Sequence, residues 1–332
     1  MMEKIRVGFI GAGRHAKRIL YPSLRYASIE LVATAALEED EAASAAMTFG
    51  AKRYYVGHKR LLDSEKNLDA VIIAVAPPNY YGIIQDVLSL GLPVFSEKPA
   101  AASAEEAAKL EDAARKAGKP IQVGFMRRFA RTSQMAREAM NREEFGRPTC
   151  FVGKFAVGSG LYPDEYTYIV DNPIHMIDLT RSFMGEVDKV SVERTDWGNL
   201  RFSYVVLFRF TSGAVGTVYF SNNQSWRQHN EFIEITGEGS FITIDNVMRY
   251  QYFPPDGPRQ FWEPNYTVPS DQNQSFLLTG YANELQHFVD VVRDGIQPLV
   301  TIHDAKRALE LMDEIYIKGG GILEPGRKAK VW

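Results

Sequence analysis

The 332-residue chain contains one cysteine, Cys150, so no disulfide can form within it. Such scarcity is typical of a reducing cytosol, although a cysteine-poor exported protein would look the same, and we expect a cytoplasmic protein. The chain also lacks a block of like charge: 38 basic and 41 acidic residues give a net charge of -3. This balance argues against nucleic acid or an anionic membrane as a partner. Apolar runs such as 70-AVIIAVA-76 are too short to span a bilayer. The start, MMEKIRVGFIG, runs directly into a strand pattern, so we expect no signal peptide.

The histidines lack the spacing of a metal site. His15, His58, His229, His287 and His303 do not combine at ligand spacing with cysteine or with carboxylates. We therefore predict no metal site.

The length predicts two domains, because 332 residues exceed what one hydrophobic core usually serves. The first part alternates short β-branched runs with amphipathic stretches, the pattern of a parallel sheet with crossover helices. Its predicted strands are 4–10, 29–35, 69–75, 93–97 and 121–125. Strands without side alternation predict that both faces of the sheet are covered, as in a doubly wound α/β domain. Residues 103–118 predict a helix, with a capping box at Ser103 and Glu106 and a stop at Gly118.

The pattern changes after Pro148. A helix is predicted over 173–185, followed by long strands and two closing helices at 281–295 and 303–320. The predicted strands are 187–197, 201–210, 214–222, 231–237 and 240–245, with 211-TSG-213 as a tight hairpin turn. Val205 and Leu207 alternate only weakly with Val206 and Phe208, so some strands are expected to be covered on both faces. We predict an open, mostly antiparallel sheet backed by helices.

The first predicted strand runs into 11-GAGRHA-16, which opens a helix. Gly11 permits a tight turn, Gly13 lets the backbone approach a pyrophosphate, and the small Ala16 allows close helix–strand packing. The free N–H groups of the helix start suit phosphate. Glycines also form plain turns, but this context, a first strand before a helix, favours dinucleotide binding. The expected domains are therefore a dinucleotide-binding domain at 1–125 and a second domain at 126–332, whose closing helices are candidates to pack on the first.

The acidic residue expected at the end of the second strand is missing. Ala36 stands where an aspartate would bind the adenosine ribose, and Glu38 lies two residues later. Arg14 in the loop is a candidate partner for a 2′-phosphate. The choice between NAD and NADP stays open.

In its motifs and their order, the chain resembles the Gfo/Idh/MocA family of oxidoreductases, named for glucose–fructose oxidoreductase and inositol 2-dehydrogenase. The matching stretches are 11-GAGRHA-16, 76-APPNYY-81, 97-EKP-99, 123-VGFMRRF-129, 171-DNPIHMIDL-179 and 298-PLVTIHDAKRALEL-311. The resemblance implies a Rossmann domain and a C-terminal α/β domain with a large open sheet, often used for oligomerisation. We thus expect a homodimer or homotetramer.

The resemblance also implies the site residues. Lys98 of the EKP stretch would point toward the nicotinamide and the substrate, and the bond before Pro99 is often cis in the family. A solvated Glu–Lys pair is the alternative for Glu97 and Lys98. The residues assigned to the cofactor are Gly11, Ala12, Gly13, Arg14, His15, Ala36, Leu37, Ala76, Pro77, Asn79, Glu97, Lys98 and Arg127. For Arg127 and Arg128, surface arginines are the ordinary alternative.

The segment 171-DNPIHMIDL-179 matches the family pattern D-x-x-x-H-x-x-D. Asn172 is a candidate helix cap before Pro173, the favoured place for proline. His175 then lies in the first helical turn, where the positive end of the dipole disfavours imidazolium. Asp171 and Asp178 are within reach of its side, although Asp178 as a cap or salt bridge is an equal alternative.

The free energy needed to bring each side-chain pKa near neutrality indicates the catalytic roles. Lowering a lysine pKa from ~10.4 to ~7 needs about 4–5 kcal/mol, whereas a histidine already titrates near ~6.5. His175 is therefore the predicted general base for a substrate hydroxyl, Lys98 a cation that polarises its oxygen, and Asp171 the residue that orients the hydroxyl or Lys98. Lys98, Asp171 and His175 form the predicted catalytic set.

The substrate expected from the resemblance is a sugar, cyclitol or related polyol. Tyr162, Tyr166 and Tyr168 stand where the family often has a glycine-rich run, and they are candidates for stacking on a sugar ring or for ordinary packing. Asn222, Gln224 and Trp226 are candidates to bind a polyol, and solvated loop residues are the alternative. Two other activities stay open, an NAD-dependent glycoside hydrolase of the same fold and a non-catalytic nucleotide-sensing regulator. A proton-transfer set argues against the regulator.

Overall fold

A computed structural model of the chain describes residues 3–158, 162–224, 228–268, 270 and 273–324. The described residues fall into two units. The first comprises residues 3–126 and 281–307, and the second comprises residues 127–280 and 308–324.

Fourteen strands are defined in the described residues. In chain order they are β1 (Ile5–Ile10), β2 (Ile29–Ala36), β3 (Arg53–Val56), β4 (Ala70–Ile73), β5 (Val94–Glu97), β6 (Ile121–Gly124), β7 (Cys150–Gly158), β8 (Val187–Asp196), β9 (Phe202–Phe210), β10 (Val215–Gln224), β11 (Asn230–Thr236), β12 (Phe241–Asp245), β13 (Arg249–Phe253) and β14 (Gln260–Trp262).

Eleven α-helices accompany them in the same residues. They are α1 (Tyr21–Ser23), α2 (Glu39–Phe49), α3 (His58–Ser64), α4 (Tyr80–Ser89), α5 (Ala104–Ala117), α6 (Arg131–Met140), α7 (Glu165–Asp171), α8 (Ile174–Met184), α9 (Ser275–Leu278), α10 (Tyr281–Asp294) and α11 (Ile302–Lys318). A π-helical segment, Ala16–Leu20, precedes α1, and short 3₁₀ turns lie at Leu24–Tyr26, Pro77–Asn79, Met126–Phe129 and Glu143–Phe145. Within the described part of the chain, no helix has the length and apolar character that a bilayer crossing requires.

The first unit contains a six-stranded sheet in the order β3-β2-β1-β4-β5-β6. Every pairing in it is parallel, which confirms the predicted doubly wound sheet. The strand order reverses between β1 and β4, so the crevice at their carboxyl ends is the place where such folds bind ligands. β1 and β4 are buried on both faces, as expected from their unbroken apolar runs.

One strand of this sheet was not predicted. β3 lies at the sheet edge and pairs only through residues 53–56 with β2. Its side chains are mostly exposed, so its sequence lacks the apolar run by which buried strands are recognised.

Helix α5 has the predicted ends. Ser103 accepts a hydrogen bond from the backbone N–H of Glu106, and Gly118 ends the helix at φ +61°. The carboxylate of Glu106 accepts from the backbone N–H of Ala102, one residue before the Ser103 N–H that a capping box would use.

The second unit contains an eight-stranded sheet in the order β14-β13-β12-β11-β7-β10-β9-β8. All neighbours are antiparallel except β7 and β10, which confirms the mostly antiparallel sheet. The five predicted strands correspond to β8–β12. The expectation of double-sided burial was wrong for β9, because Val205 and Leu207 are exposed while Val206 and Phe208 are buried. One face of this sheet is therefore open.

Strand β7 was missed, although it lies at the centre of the sheet. Gly153 interrupts its apolar pattern, and the structure explains why a glycine stands there. A Cβ at Gly153 would lie 2.8 Å from the ring of Phe151 and 3.2 Å from the Met176 sulfur on α8. The missing side chain therefore lets α8 pack closely against the sheet.

A buried ion pair fixes α8 from another side. The guanidinium of Arg128 donates two hydrogen bonds to the Asp178 carboxylate, at 2.8 Å and 2.6 Å. The Asp178 side chain is 0% exposed and that of Arg128 is 7% exposed. The arrangement agrees with the salt-bridge interpretation of Asp178. Both charges are largely removed from water, so their mutual hydrogen bonds replace part of the hydration that they lose on burial.

We predict that Asp178→Asn lowers the free energy of unfolding by about 3–5 kcal/mol, because it removes the negative charge to which the buried Arg128 cation donates two hydrogen bonds. Urea unfolding of the holoprotein measures this loss. The matched control is Glu238→Gln, which breaks an exposed ion pair with Arg147 and should change stability little. The double variant Arg128→Met/Asp178→Leu removes both charges and should recover most of the loss. A loss for Asp178→Asn no larger than the control would contradict this account.

Candidate active site

The glycine loop follows β1 at the carboxyl edge of the first sheet. Gly11 has φ +112°, and a Cβ there would lie 2.0 Å from the carbonyl oxygen of Ala74. Only glycine fits both constraints. The Gly11 N–H donates to the Ala35 carbonyl at 2.7 Å, and the Tyr21 hydroxyl donates to the Gly11 carbonyl at 3.1 Å. The turn is therefore held from β2 and from α1.

Gly13 stands at the mouth of this loop in open space. A Cβ there would have no described atom within 4 Å, so the backbone is accessible to a ligand. Lys17 N–H donates to the Gly13 carbonyl at 3.0 Å as the helix begins. The N–H groups of the first turn have no acceptor within the helix itself. Open backbone and free N–H groups are the features that the pattern requires for a pyrophosphate, and its binding here stays a prediction.

His15 and Glu97 join this loop to the end of β5. The Nε2 atom of His15 lies 3.1 Å from Oε1 of Glu97, and the other carboxylate oxygen accepts the backbone N–H of Lys98 at 3.0 Å. Glu97 is buried and Lys98 is half-buried. The peptide bond between Lys98 and Pro99 is cis. Glu97 and Lys98 are therefore not a solvated surface pair, since the Glu97 carboxylate is used internally.

The remaining predicted cofactor residues of the first unit follow β2 and β4, the two strands that flank β1 in the sheet. Ala36 ends β2 and is buried, whereas Leu37 is 79% exposed. Ala76, Pro77 and Asn79 follow β4, where Pro77–Asn79 forms a 3₁₀ turn. Both ends lie at the carboxyl edge, beside the crevice that β1 and β4 define.

Arg127 belongs to the second unit, and its guanidinium is engaged there. It donates to the Glu231 carboxylate at 3.1 Å and 2.5 Å, and both side chains are buried. Its assignment to the cofactor stays a prediction.

Asp171 and His175 lie at the junction of α7 and α8, also in the second unit, whereas Lys98 belongs to the first. Asp171 is the last residue of α7, and its Oδ2 accepts the Tyr162 hydroxyl at 2.6 Å. His175 is the second residue of α8 and is 7% exposed. The imidazole thus lies in the first helical turn, as predicted, where the dipole favours the neutral ring.

The predicted cap at Asn172 is wrong. Pro173 occupies the cap position of α8 and makes no side-chain cap bond. The backbone at Asn172 has φ -98° and ψ -69°, so it does not adopt the extended form of a capping residue. Its amide instead donates to the Tyr162 hydroxyl and accepts from Nε2 of His229 at 3.0 Å.

The three tyrosines before this junction differ in exposure. Tyr166 and Tyr168 are both 1% exposed, so they serve packing, whereas Tyr162 is half-buried. The Asn222 side chain is buried and binds backbone groups. It accepts a hydrogen bond from the Phe202 N–H at 2.9 Å and donates one to the Leu200 carbonyl at 2.6 Å. Trp226, the third candidate of its group, lies outside the described residues.

A buried acid, Glu284 on α10, was missed by the sequence interpretation. It is 0% exposed, and neither carboxyl oxygen has a hydrogen-bond partner among the described residues. Burial raises the pKa of Glu284 well above its ordinary 4.5, and the nearby charge of Glu97 raises it further. The available signal was its position beside Leu285 and four residues before Phe288, on the apolar face of the helix.

Metal-ligating residues do not cluster in the part of the chain that the structure describes. No group of three or more histidines, cysteines, aspartates or glutamates there is arranged to hold an ion.

Two family models match the chain. The model of the oxidoreductase family with an NAD-binding Rossmann fold, Gfo/Idh/MocA, matches residues 5–125. The model of the Gfo/Idh/MocA C-terminal domain matches residues 133–243.

Known proteins are also similar to this chain over nearly its whole length. An scyllo-inositol 2-dehydrogenase (NAD⁺) of Bacillus subtilis (strain 168) is 27% identical, over 94% of this chain and 93% of the relative. The crystal structure of a dehydrogenase from Chromobacterium violaceum superposes with a TM-score of 0.87 at 22% identity, covering 96% of both chains. A levoglucosan dehydrogenase in complex with NADH and L-sorbose gives a TM-score of 0.82 at 20% identity, covering 96% of this chain and 97% of that one. The two structures share the fold. The glycine cradle, the strand end at Lys98 and the two family models lead to one conclusion: the chain belongs to the Gfo/Idh/MocA family of NAD-binding oxidoreductases.

Proposed function

We propose that the protein is an NAD(P)-dependent dehydrogenase that transfers a hydride between a CH–OH group of a sugar, cyclitol or related polyol and the nicotinamide. The observation that carries the proposal is the α7–α8 junction, where a buried histidine in a first helical turn follows an aspartate at the end of the preceding helix. The names of the relatives support the substrate class, since scyllo-inositol is a cyclitol.

The proposed roles follow from the chemistry of the side chains. A ring nitrogen of His175 takes the proton of the substrate hydroxyl, because a neutral imidazole is the base best matched to neutral pH. The Lys98 ammonium hydrogen-bonds the same oxygen and stabilises its developing negative charge. Asp171 orients the hydroxyl or Lys98. The bound nicotinamide would supply the hydride acceptor.

The cofactor site is proposed to consist of the glycine cradle and the neighbouring strand ends. Gly11, Ala12, Gly13, Arg14 and His15 would hold the pyrophosphate. The adenosine would lie near Ala36 and Leu37, and the nicotinamide near Ala76, Pro77, Asn79, Glu97 and Lys98. In this proposal the dinucleotide-binding domain spans residues 1–125 and the second domain spans residues 126–332, of whose closing helices residues 281–307 group with the first unit.

A panel of free sugars and cyclitols tests the reaction. We expect net reduction of added NAD or NADP, followed by absorbance of the reduced cofactor. A glycoside hydrolase of the redox–elimination type would cleave glycosides without this net reduction. A nucleotide-sensing regulator would bind the cofactor and turn over neither kind of substrate.

His175→Ala and Lys98→Ala are each expected to lower kcat by ~10²–10⁴, the range for a lost proton-transfer group. Steady-state kinetics on the best polyol and calorimetry with the cofactor measure this, and cofactor affinity should stay nearly unchanged in His175→Ala. The acid limb of kcat/KM for alcohol oxidation should lie near neutrality in the wild type and vanish in His175→Ala. The two losses should be strongly non-additive, because both residues act on one hydroxyl.

His303→Ala is the matched control, since the His303 side chain is exposed and its ring bonds Glu111 on α5. It should leave kcat and the pH profile unchanged. If the acid limb survives in His175→Ala and disappears in Lys98→Ala, the roles of base and cation are reversed. Turnover within tenfold of wild type in both variants would place the site elsewhere.

We expect weak discrimination between NAD and NADP, with an affinity ratio below ~100, because Ala36 neither accepts the ribose hydroxyls nor repels a 2′-phosphate. Ala36→Asp should weaken NADP at least ~10-fold relative to NAD, since the new carboxylate repels the phosphate and accepts the ribose hydroxyls. Calorimetry with both cofactors measures the ratio. Met47→Asp on α2 adds the same charge at an exposed position and should leave the ratio unchanged. A ratio beyond ~100 in the wild type would indicate that Arg14 or Glu38 recognises the ribose.

We also propose that a second copy covers the open face of the eight-stranded sheet, giving a homodimer or homotetramer. Val205, Leu207 and Val215 lie on this face and are 43%, 54% and 43% exposed. Light scattering should therefore report an oligomer at micromolar concentration, and Leu207→Asp should shift it toward monomer. Met47→Asp, on an exposed residue of the first unit, should leave the oligomer intact. A monomeric wild type would contradict the proposal.

A further inference from the structure

A chain of hydrogen bonds between four side chains ends at Asp171. Nε2 of His229 lies 3.0 Å from Oδ1 of Asn172, and Nδ2 of Asn172 donates to the Tyr162 hydroxyl. That hydroxyl donates in turn to Oδ2 of Asp171 at 2.6 Å. The four residues come from three segments: the approach to α7, the α7–α8 junction and the approach to β11.

The direction of each hydrogen bond follows from the chemistry of the groups. An ionised carboxylate only accepts, so the Tyr162 hydrogen points to Asp171. The phenol oxygen then accepts from the Asn172 amide, which leaves Oδ1 to accept an N–H from His229. This network assigns the amide orientation and requires a proton on Nε2 of His229. Every donor in the chain points toward Asp171.

Such a chain transmits position rather than protons. An amide passes a proton only by becoming its imidic acid tautomer, which is strongly disfavoured. Asn172 therefore interrupts any proton wire between His229 and Asp171. A bond from a phenol to a carboxylate is charge-assisted and short, so it restricts how the carboxylate is oriented.

Ring contacts hold two members of the chain, Tyr162 and His229. The ring of Tyr162 lies edge-on to that of Tyr168, with centroids 5.3 Å apart, and the Tyr168 hydroxyl donates to the Ser221 carbonyl at 3.1 Å. The His229 ring lies against Phe155, with centroids 4.9 Å apart. Burial and, after it, the Asp171 charge raise the pKa of Tyr162 well above its ordinary 10, so the phenol keeps its proton at physiological pH.

We propose that Tyr162 is a positioning residue for Asp171, held in place through Asn172 by His229. The inference rests on the proposed function, in which Asp171 orients the substrate hydroxyl or Lys98. The hydrogen bond from Tyr162 to Oδ2 fixes the plane of the Asp171 carboxylate. It thereby fixes the directions in which the remaining lone pairs can accept a hydrogen bond.

Tyr162→Phe tests the proposal, because it removes only the hydroxyl. We expect kcat/KM for the polyol to fall ~10–100-fold, the scale of a small misplacement of a reacting group. Cofactor affinity should stay unchanged, because the cofactor cradle lies in the other unit. Tyr166→Phe is the matched control: its hydroxyl also donates to a carboxylate, that of Asp313, at 2.7 Å. The control should leave kcat/KM within threefold of wild type.

Two double-variant cycles separate positioning from a merely structural role. In an Asp171→Ala background, Tyr162→Phe should lower kcat/KM less than threefold further, since no carboxylate remains to be oriented. His229→Phe should lower kcat/KM in the wild type and have little further effect in a Tyr162→Phe background, where the chain is already broken. Thermal unfolding with and without NAD confirms that each variant is folded. If Tyr162→Phe does not fold, Asn172→Ala, which removes the donor to Tyr162, takes its place.

The outcomes distinguish this inference from the proposed function. A wild type that reduces neither NAD nor NADP with any polyol contradicts the proposed function, and the role of Tyr162 with it. A wild type that turns over, with Tyr162→Phe at full activity or with additive cycles, contradicts only the role of Tyr162. Equal losses of kcat/KM in Tyr162→Phe and Tyr166→Phe would also contradict the role of Tyr162. They would show a general effect of removing a tyrosine hydroxyl.

Discussion

The buried charge of Asp178 is the constraint on which the site in the second unit depends. It lies three residues after His175 on the same helix, and Arg128 neutralises it with two hydrogen bonds. A carboxylate without exposure cannot leave this partner without a cost of several kcal/mol. Gly153 meanwhile removes the side chain that would keep α8 away from β7. The helix that carries His175 is therefore fixed by a charge on one side and by close packing on the other, so the imidazole has little freedom to move.

The Glu97 carboxylate has a comparable structural role in the first unit, where it connects two segments by hydrogen bonds. One oxygen binds the His15 ring of the glycine loop, and the other binds the backbone of Lys98. The phosphate-binding loop and the strand end that presents Lys98 are thus parts of one hydrogen-bonded assembly. The Glu97 carboxylate thereby couples the loop to the backbone of the lysine. This coupling explains why an acid stands at the end of an otherwise apolar strand.

The sequence predicted those parts of the fold that depend on local pattern. β1, β2 and β8–β12 have unbroken or alternating apolar runs, and the ends of α5 have their own capping chemistry. The strands β3, β7, β13 and β14 were missed. β3 is an exposed edge, and β7 is interrupted by Gly153, whose place depends on the close approach of Phe151 and of Met176 on α8. In the site, the sequence placed His175 in its helical turn but misassigned Asn172. A cap is a local preference, and here the contacts to Tyr162 and His229, distant in sequence, override it.

Glu284 makes the folding of the first unit a proton-uptake reaction. In the unfolded chain the Glu284 carboxyl is ionised at pH values above its ordinary pKa. In the folded unit, burial and the charge of Glu97 favour the neutral form. A group whose pKa rises on folding contributes its full stability below the unfolded value of 4.5, and this contribution is lost as the pH rises toward the folded value. Through this residue, mild acid stabilises the nucleotide-binding unit and alkali weakens it, the reverse of the behaviour of a salt-bridged carboxylate. The buried acid on α10 thus links the stability of the first unit to the proton concentration of its surroundings.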